Sequence, residues 1–249
     1  MIARSQQDGV LTLRLEHSKA SALDVELLGA LLRALDGVGE EVRALVLTGT
    51  GSILSAGVDL FRLTREGAGY VRDLLPLLSR FLRRLFSFPR PVVAAVNGHA
   101  IAGGCVMVLA ADARLMAEGV GRIGVPELLV GVPFPAAALE VVRFAVPRER
   151  VQSLVYTGRT LSAREALGAG LIDEVVAPAD LMTRAQELAR HLAMIPPTVY
   201  GLTKQSLRAE ALERIDKAGG RLDQAALEVW SDPQTHAHIG EYLRRTLGK

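Results

Sequence analysis

Cysteine, lysine and aromatic residues are all scarce in this chain of 249 residues. A single cysteine, Cys105, excludes any intrachain disulfide and any thiolate metal cluster. It suits a reducing compartment, read here as the cytoplasm. Aromatic residues make up only 4%, and the only lysines are Lys19, Lys204, Lys217 and Lys249, so arginine carries most of the basic charge. The balance of 29 basic against 27 acidic residues leaves a net charge of +2 with no run of five or six like charges. Without a basic tail or interleaved aromatics, the chain does not read as a nucleic-acid binder. His236 and His238 lie two apart and point to different faces of a helix. They cannot form a metal pair one turn apart, so both read as surface residues and no metal is expected.

A long uninterrupted apolar run is also missing. Met1–Leu15 has early charges and no apolar core, which argues against a signal peptide. Pro91–Ala111 carries no charge for 21 residues, about the span of a bilayer helix. Asn97-Gly98-His99 breaks that stretch with a turn signal, and Val92–Val96 is short and β-branched. The stretch therefore reads as a buried strand followed by a new element, not as a membrane span.

What the chain does have is small aliphatic residues. Hydrophobic residues make up 49%, glycines number 24, and mean hydropathy is +0.25. That is too apolar for disorder, and it is apolar enough to predict buried subunit interfaces. Strands are expected over Gly9–Leu15, Ala44–Leu47, Val92–Val96, Ala113–Ala117 and Ile172–Val176, and helices over Val25–Leu35, Tyr70–Phe86 and Cys105–Ala111. Pro76 predicts a late start or a kink in the second helix. Ser162 and Glu165 form a capping-box signature, and Pro196-Pro197 splits a helical tract that runs from Ala179 to the end. Alternating strands and helices predict an α/β fold, with a core over 1–195 and a helical region over 196–249.

Three segments carry possible chemistry. Ala102-Gly103-Gly104-Cys105 sets glycines at a helix start, where free N–H groups and the helix dipole would stabilise a developing oxyanion. Close helix packing is the plainer explanation of those glycines. Ser55-Ala56-Gly57-Val58-Asp59 again offers backbone N–H groups, although Asp59 can simply cap the following helix. Glu127 stands alone in an apolar stretch, where burial would raise its pKa to that of a useful base unless an arginine pairs with it.

In order and spacing these segments resemble the crotonase, or enoyl-CoA hydratase/isomerase, superfamily. The likeness continues through Pro91–Gly98, Asp112, Pro126–Gly131, Tyr156–Arg159 and Ala166–Asp173. It implies a spiral of ββα turns, a C-terminal helical oligomerisation region, a homotrimer or dimer of trimers, and an acyl-CoA thioester substrate with no separate cofactor. It also implies that the thioester oxygen is held by the N–H groups of Ala56 and Gly103, with Gly57, Val58, Asp59, Gly104 and Val106 around the substrate. Hydratases of the family carry a first catalytic Glu where this chain has Val106; the second corresponds to Glu127. That pattern is similar to mitochondrial-type 3,2-trans-enoyl-CoA isomerases, in which one carboxylate moves a proton. The alternatives are hydration, thioester hydrolysis or decarboxylation, with Glu118 and Glu140 as further carboxylates, or a non-catalytic, RNA-binding relative. Phe61, Leu63, Leu75 and Phe134 are candidates for setting acyl-pocket depth.

Overall fold

The computed structural model describes residues 1–247. A hairpin of β1 (Ile2–Gln7) and β2 (Val10–Leu15) leads into α1 (Val25–Asp36). The next turn is β3 (Ala44–Thr48), β4 (Ile53–Ser55), α2 (Leu60–Glu66) and α3 (Ala68–Phe86). A further turn is β5 (Val92–Val96), β6 (His99–Ile101) and α4 (Gly103–Leu109). It is followed by β7 (Ala113–Ala117), β8 (Ile123–Gly124), α5 (Glu127–Val130), α6 (Ala136–Ala145) and α7 (Arg148–Thr157). The chain closes with β9 (Thr160–Leu161), α8 (Ala163–Gly168), β10 (Glu174–Val176), α9 (Leu181–Ala193), α10 (Pro197–Ser231) and α11 (Pro233–Leu247).

In the turns that start at β3, β5 and β7 the first strand joins one sheet and the second joins another, which is the expected ββα spiral, whereas β1 and β2 both lie in the larger sheet. The larger sheet has the order β1-β2-β3-β5-β7-β10 and is parallel except at β1–β2; the smaller is β4-β6-β8-β9. β3 and β5 are buried along their whole length because both faces of the large sheet are covered. Leu45, Leu47, Ala94 and Val96 belong to the main core, while Ala44, Val46, Val93 and Ala95 pack with Ala185 and Ala189 of α9. The stretch that matched a bilayer helix in length is thus β5, β6 and α4 at the centre of the molecule, and no described helix is long and apolar enough to cross a membrane.

Some expectations shift. β1 escaped notice because five of its six residues are exposed, which leaves no apolar alternation to read. α3 begins at Ala68, well before Pro76, and Pro76 lies on its exposed side, where water can take the carbonyl left without a partner. The last strand shortens to Glu174–Val176, and α4 starts two residues early, at Gly103. The capping box is present, with Ser162 N–H donating to Glu165 Oε2 at 2.8 Å. Beyond Pro196 the chain folds back on its own core, with α10 against α6 and α3 and α11 against α2 and α5. Asp112 fixes this return: it accepts from Val92 N–H (2.8 Å), Lys204 Nζ (2.7 Å) and Arg208 Nη2 (2.8 Å).

Candidate active site

The site sits where the smaller sheet hands its strands to helices. β4, β6 and β8 run parallel, pairing Ile53 with His99, Ala100 with Ile123 and Ile101 with Gly124. The segments that follow them therefore emerge on one side: Ala56–Asp59, Ala102–Gly104 and Val125–Glu127. Ala102 turns the chain into α4 at φ +53° and ψ −127°, outside the regions an L-residue prefers. Its N–H is tied to Gly124 O at 2.9 Å. Gly103 follows with no acceptor for its own N–H among the described residues.

The second donor differs from the expectation. Ala56 N–H donates to Ala20 O at 3.0 Å, so it is already spent inside the protein. Gly57 N–H reaches Ser55 Oγ at 3.2 Å, and Asp59 N–H reaches Leu23 O at 3.2 Å. Val58 is left as the residue in this segment whose N–H has no acceptor among the described residues. Residue spacing could not reveal this, because the choice depends on a loop, Ala20–Leu23, far away in the sequence. Gly57 is required here: its φ is +82°, and a Cβ would lie 2.8 Å from Ala102 Cβ and 3.1 Å from Gly103 N. The backbone that carries Val58 therefore packs directly on the backbone that carries Gly103.

Two of the other expected substrate contacts have structural duties. Asp59 Oδ1 caps α2 by accepting from Arg62 N–H at 3.0 Å. Gly104 lets α4 pack on β4, since a Cβ would stand 2.5 Å from Ser55 O. Val106 is fully buried in α4.

Glu127 opens α5 directly after Pro126, with only 7% of its surface exposed. It has no ion-pair partner among the described residues, and its Oε2 is buried with no hydrogen bond. Desolvation, only partly offset by a hydrogen bond to its own backbone, pushes its pKa up from the ordinary value to about 8. The buried Cys105 thiol is also pushed up, first by burial and then by the Glu127 charge. Gly131, at φ +91°, closes the turn: its N–H and that of Val132 each reach Glu127 O at 3.0 Å.

The other carboxylates are committed elsewhere. Glu140 is buried, but Arg143 (2.8 Å) and Arg214 (2.7 Å) neutralise it. Glu118 is half exposed and pairs with Arg164. His236 is half-buried and not a surface residue, with Nε2 2.7 Å from Trp230 O, while the exposed His238 lies over Gly131. Lys204 is buried against Asp112, so it holds the fold together and is not free to meet an outside anion.

Comparison with known proteins agrees with this arrangement. The family model described as enoyl-CoA hydratase/isomerase matches residues 5–243. A Thermus thermophilus protein named as an enoyl-CoA hydratase is 39% identical over 202 residues, covering 78% of each chain. A Mycobacterium tuberculosis structure described as an enoyl-CoA hydratase superposes with a TM-score of 0.84 at 34% identity, covering 91% of this chain and 95% of its own. Human mitochondrial delta3-delta2-enoyl-CoA isomerase shares the fold with a TM-score of 0.94 at 22% identity, over 99% of this chain and 98% of its own. The chain, an enzyme with the crotonase fold, belongs to the enoyl-CoA hydratase/isomerase family.

Proposed function

We propose that this enzyme moves the double bond of a 3-enoyl-CoA to the trans-2 position, using Glu127 as its single acid/base. The observation that carries the reading is a lone buried carboxylate with an unpartnered oxygen, in a chain that has buried Val106 where a hydratase would carry its first Glu. The N–H groups of Gly103 and Val58 would hold the thioester oxygen. Glu127 removes a proton from C2, the electrons move into a dienolate whose oxygen those donors stabilise, and the same carboxyl returns the proton to C4. The donors act only if their positions are fixed, which the contact between Gly57 and the Ala102–Gly103 backbone provides.

Hydration, the second reading, is favoured by the name of the Thermus relative. It needs a further group to orient and deprotonate water, and the carboxylates Asp59, Glu118 and Glu140 are all engaged elsewhere. Purified protein supplied with 3-enoyl-CoA and, separately, trans-2-enoyl-CoA distinguishes the two. The expected result is isomer formation with little hydration; efficient hydration without isomerisation overturns the reading. We also propose a homotrimer or a dimer of trimers. Met194, Val199, Leu202 and Leu207, exposed around the start of α10, support it.

A further inference from the structure

We propose that Leu23 is a positioning residue for the two backbone donors of the site: its own backbone aims the Val58 N–H, and its side chain seats the backbone of Gly103. One residue, remote in sequence from both donors, thereby sets the distance between them. The inference rests on the reading of those two N–H groups as the holders of a thioester oxygen, and it adds a residue that acts through the donors and not on the substrate.

The backbone part follows from peptide geometry. In a planar trans peptide the carbonyl and the N–H point in opposite directions. Leu23 N–H donates to Gly57 O at 2.7 Å, so the Val58 N–H of that same peptide is turned away from Leu23. Leu23 O accepts from Asp59 N–H at 3.2 Å, which holds the chain on the other side of Val58, and Leu23 and Val58 pair as an isolated parallel bridge. The second donor is aimed in the same way from within α4. Val106 N–H donates to Ala102 O at 3.0 Å, and that carbonyl belongs to the peptide that carries the Gly103 N–H. A carbonyl that accepts a hydrogen bond polarises the N–H of its own peptide, so both donors are strengthened as well as aimed.

The side chain completes the link. Leu23 is fully buried, and its Cδ1 lies 3.0 Å from the point that a Cβ on Gly103 would occupy. Gly57 Cα stands 3.8 Å from the same point, so Leu23 and Gly57 together meet Gly103 on its open side. Leu23 is in turn held by both of its flanks. Asp24 caps α1 by accepting from Leu27 N–H at 2.8 Å, and its other oxygen lies 2.6 Å from His17 Nε2. Ser21, at a φ of +42° that a non-glycine residue seldom takes, accepts from Ser55 Oγ at 2.7 Å, and that Oγ accepts from Gly57 N–H at 3.2 Å. The loop that carries Leu23 is therefore tied to the donor segment by side chain and backbone alike.

The test separates positioning from packing. It compares wild type with Leu23→Ala, the milder Leu23→Val, the volume-conserving Leu23→Met, and Leu13→Ala, a truncation of the same size at a fully buried position of β2. Two thioesters serve as probes: butyryl-CoA, which cannot form a conjugated enolate, and acetoacetyl-CoA, whose enolate carries the negative oxygen and absorbs in the near ultraviolet. Leu23→Ala should lower kcat on 3-enoyl-CoA by about tenfold to a hundredfold, less than the loss of a whole donor, and diminish the absorbance of bound enolate. Its affinity for butyryl-CoA should stay within about threefold of wild type, because ground-state binding makes less use of the donors. Leu23→Val should show the same pattern to a smaller degree, and Leu23→Met should recover most of kcat. Leu13→Ala should lose stability in urea unfolding yet keep near-wild-type kcat and enolate absorbance. Wild-type kcat and absorbance in Leu23→Val and Leu23→Ala, or an equal loss of both in Leu13→Ala, overturns the positioning role and leaves the thioester reading standing. A wild type that binds neither thioester, or that binds acetoacetyl-CoA without enolate absorbance, overturns the reading of the two donors itself.

Discussion

The chemistry of Glu127 follows from what surrounds it. A buried carboxylate without a counter-ion is neutral at neutral pH, and the pKa near 8 places half-ionisation inside the working range of a base. Because the first step removes a proton from C2, the ionised form is the active one. Isomerisation kcat/KM should therefore rise with pH through about 8 and level off above it, as a pH–rate profile will show. Glu127→Gln removes the proton carrier and should lower kcat by at least a hundredfold. The same shift has a stability consequence. Between the ordinary carboxylate pKa of 4.5 and the folded value near 8, the native state binds more protons than the unfolded chain, so wild-type stability falls as pH rises across that window. Glu127→Gln should escape this loss and be more stable than wild type at pH above 8, a difference that urea unfolding at low and high pH will reveal. Gly57→Ala acts on the other half of the site. Its φ of +82° and a Cβ 2.8 Å from Ile101 O force the two donor backbones apart. A drop in kcat on the order of 10²–10³, as for loss of an oxyanion donor, is expected in steady-state assays.

At the scale of elements, the turn from β6 to α4 shows both strain and its purpose. Ala102 holds a conformation that suits glycine, and such positions cost about 1–3 kcal/mol. Ala102→Gly should raise stability by about 1 kcal/mol in urea unfolding, the gain being reduced by glycine's greater freedom in the unfolded chain. Elements differ in how far the sequence discloses them. Strands buried on both faces, such as Val92–Val96, are legible as continuous aliphatic runs, and the Ser162 cap is legible from two side chains three residues apart. β8 and β9 have two residues each, too few for any period, and are defined only by their pairing. Glu127 and Gly103 stand out by residue type, a lone carboxylate in an apolar stretch and a glycine at a helix start, but the roles expected of them come from the family resemblance. Val58 does not stand out, because a free N–H is defined by the partners its neighbours have taken: Ala56 is spent on Ala20 O, and Asp59 on Leu23 O.

Across the whole molecule, a buried ionic joint helps to hold α10 on the core. Asp112, at the start of β7, receives Lys204 and Arg208 from α10 and the Val92 N–H from the beginning of β5. Arg208 also donates to Phe86 O and Ala110 O, so a single side chain joins the end of α3, the end of α4 and α10. Burial lowers the pKa of both cations, that of Lys204 to about 8, which shows how far their charge depends on the carboxylate beside them. Removing that carboxylate strands two buried cations, a loss of about 3–5 kcal/mol for a broken buried pair, where an exposed pair contributes under about 1 kcal/mol. Asp112→Ala should therefore lower the unfolding free energy by about that amount, whereas Asp216→Ala, which removes the exposed partner of Arg83 on the same helix, should change it by less than about 1 kcal/mol. Urea unfolding of both variants at neutral pH checks the ratio.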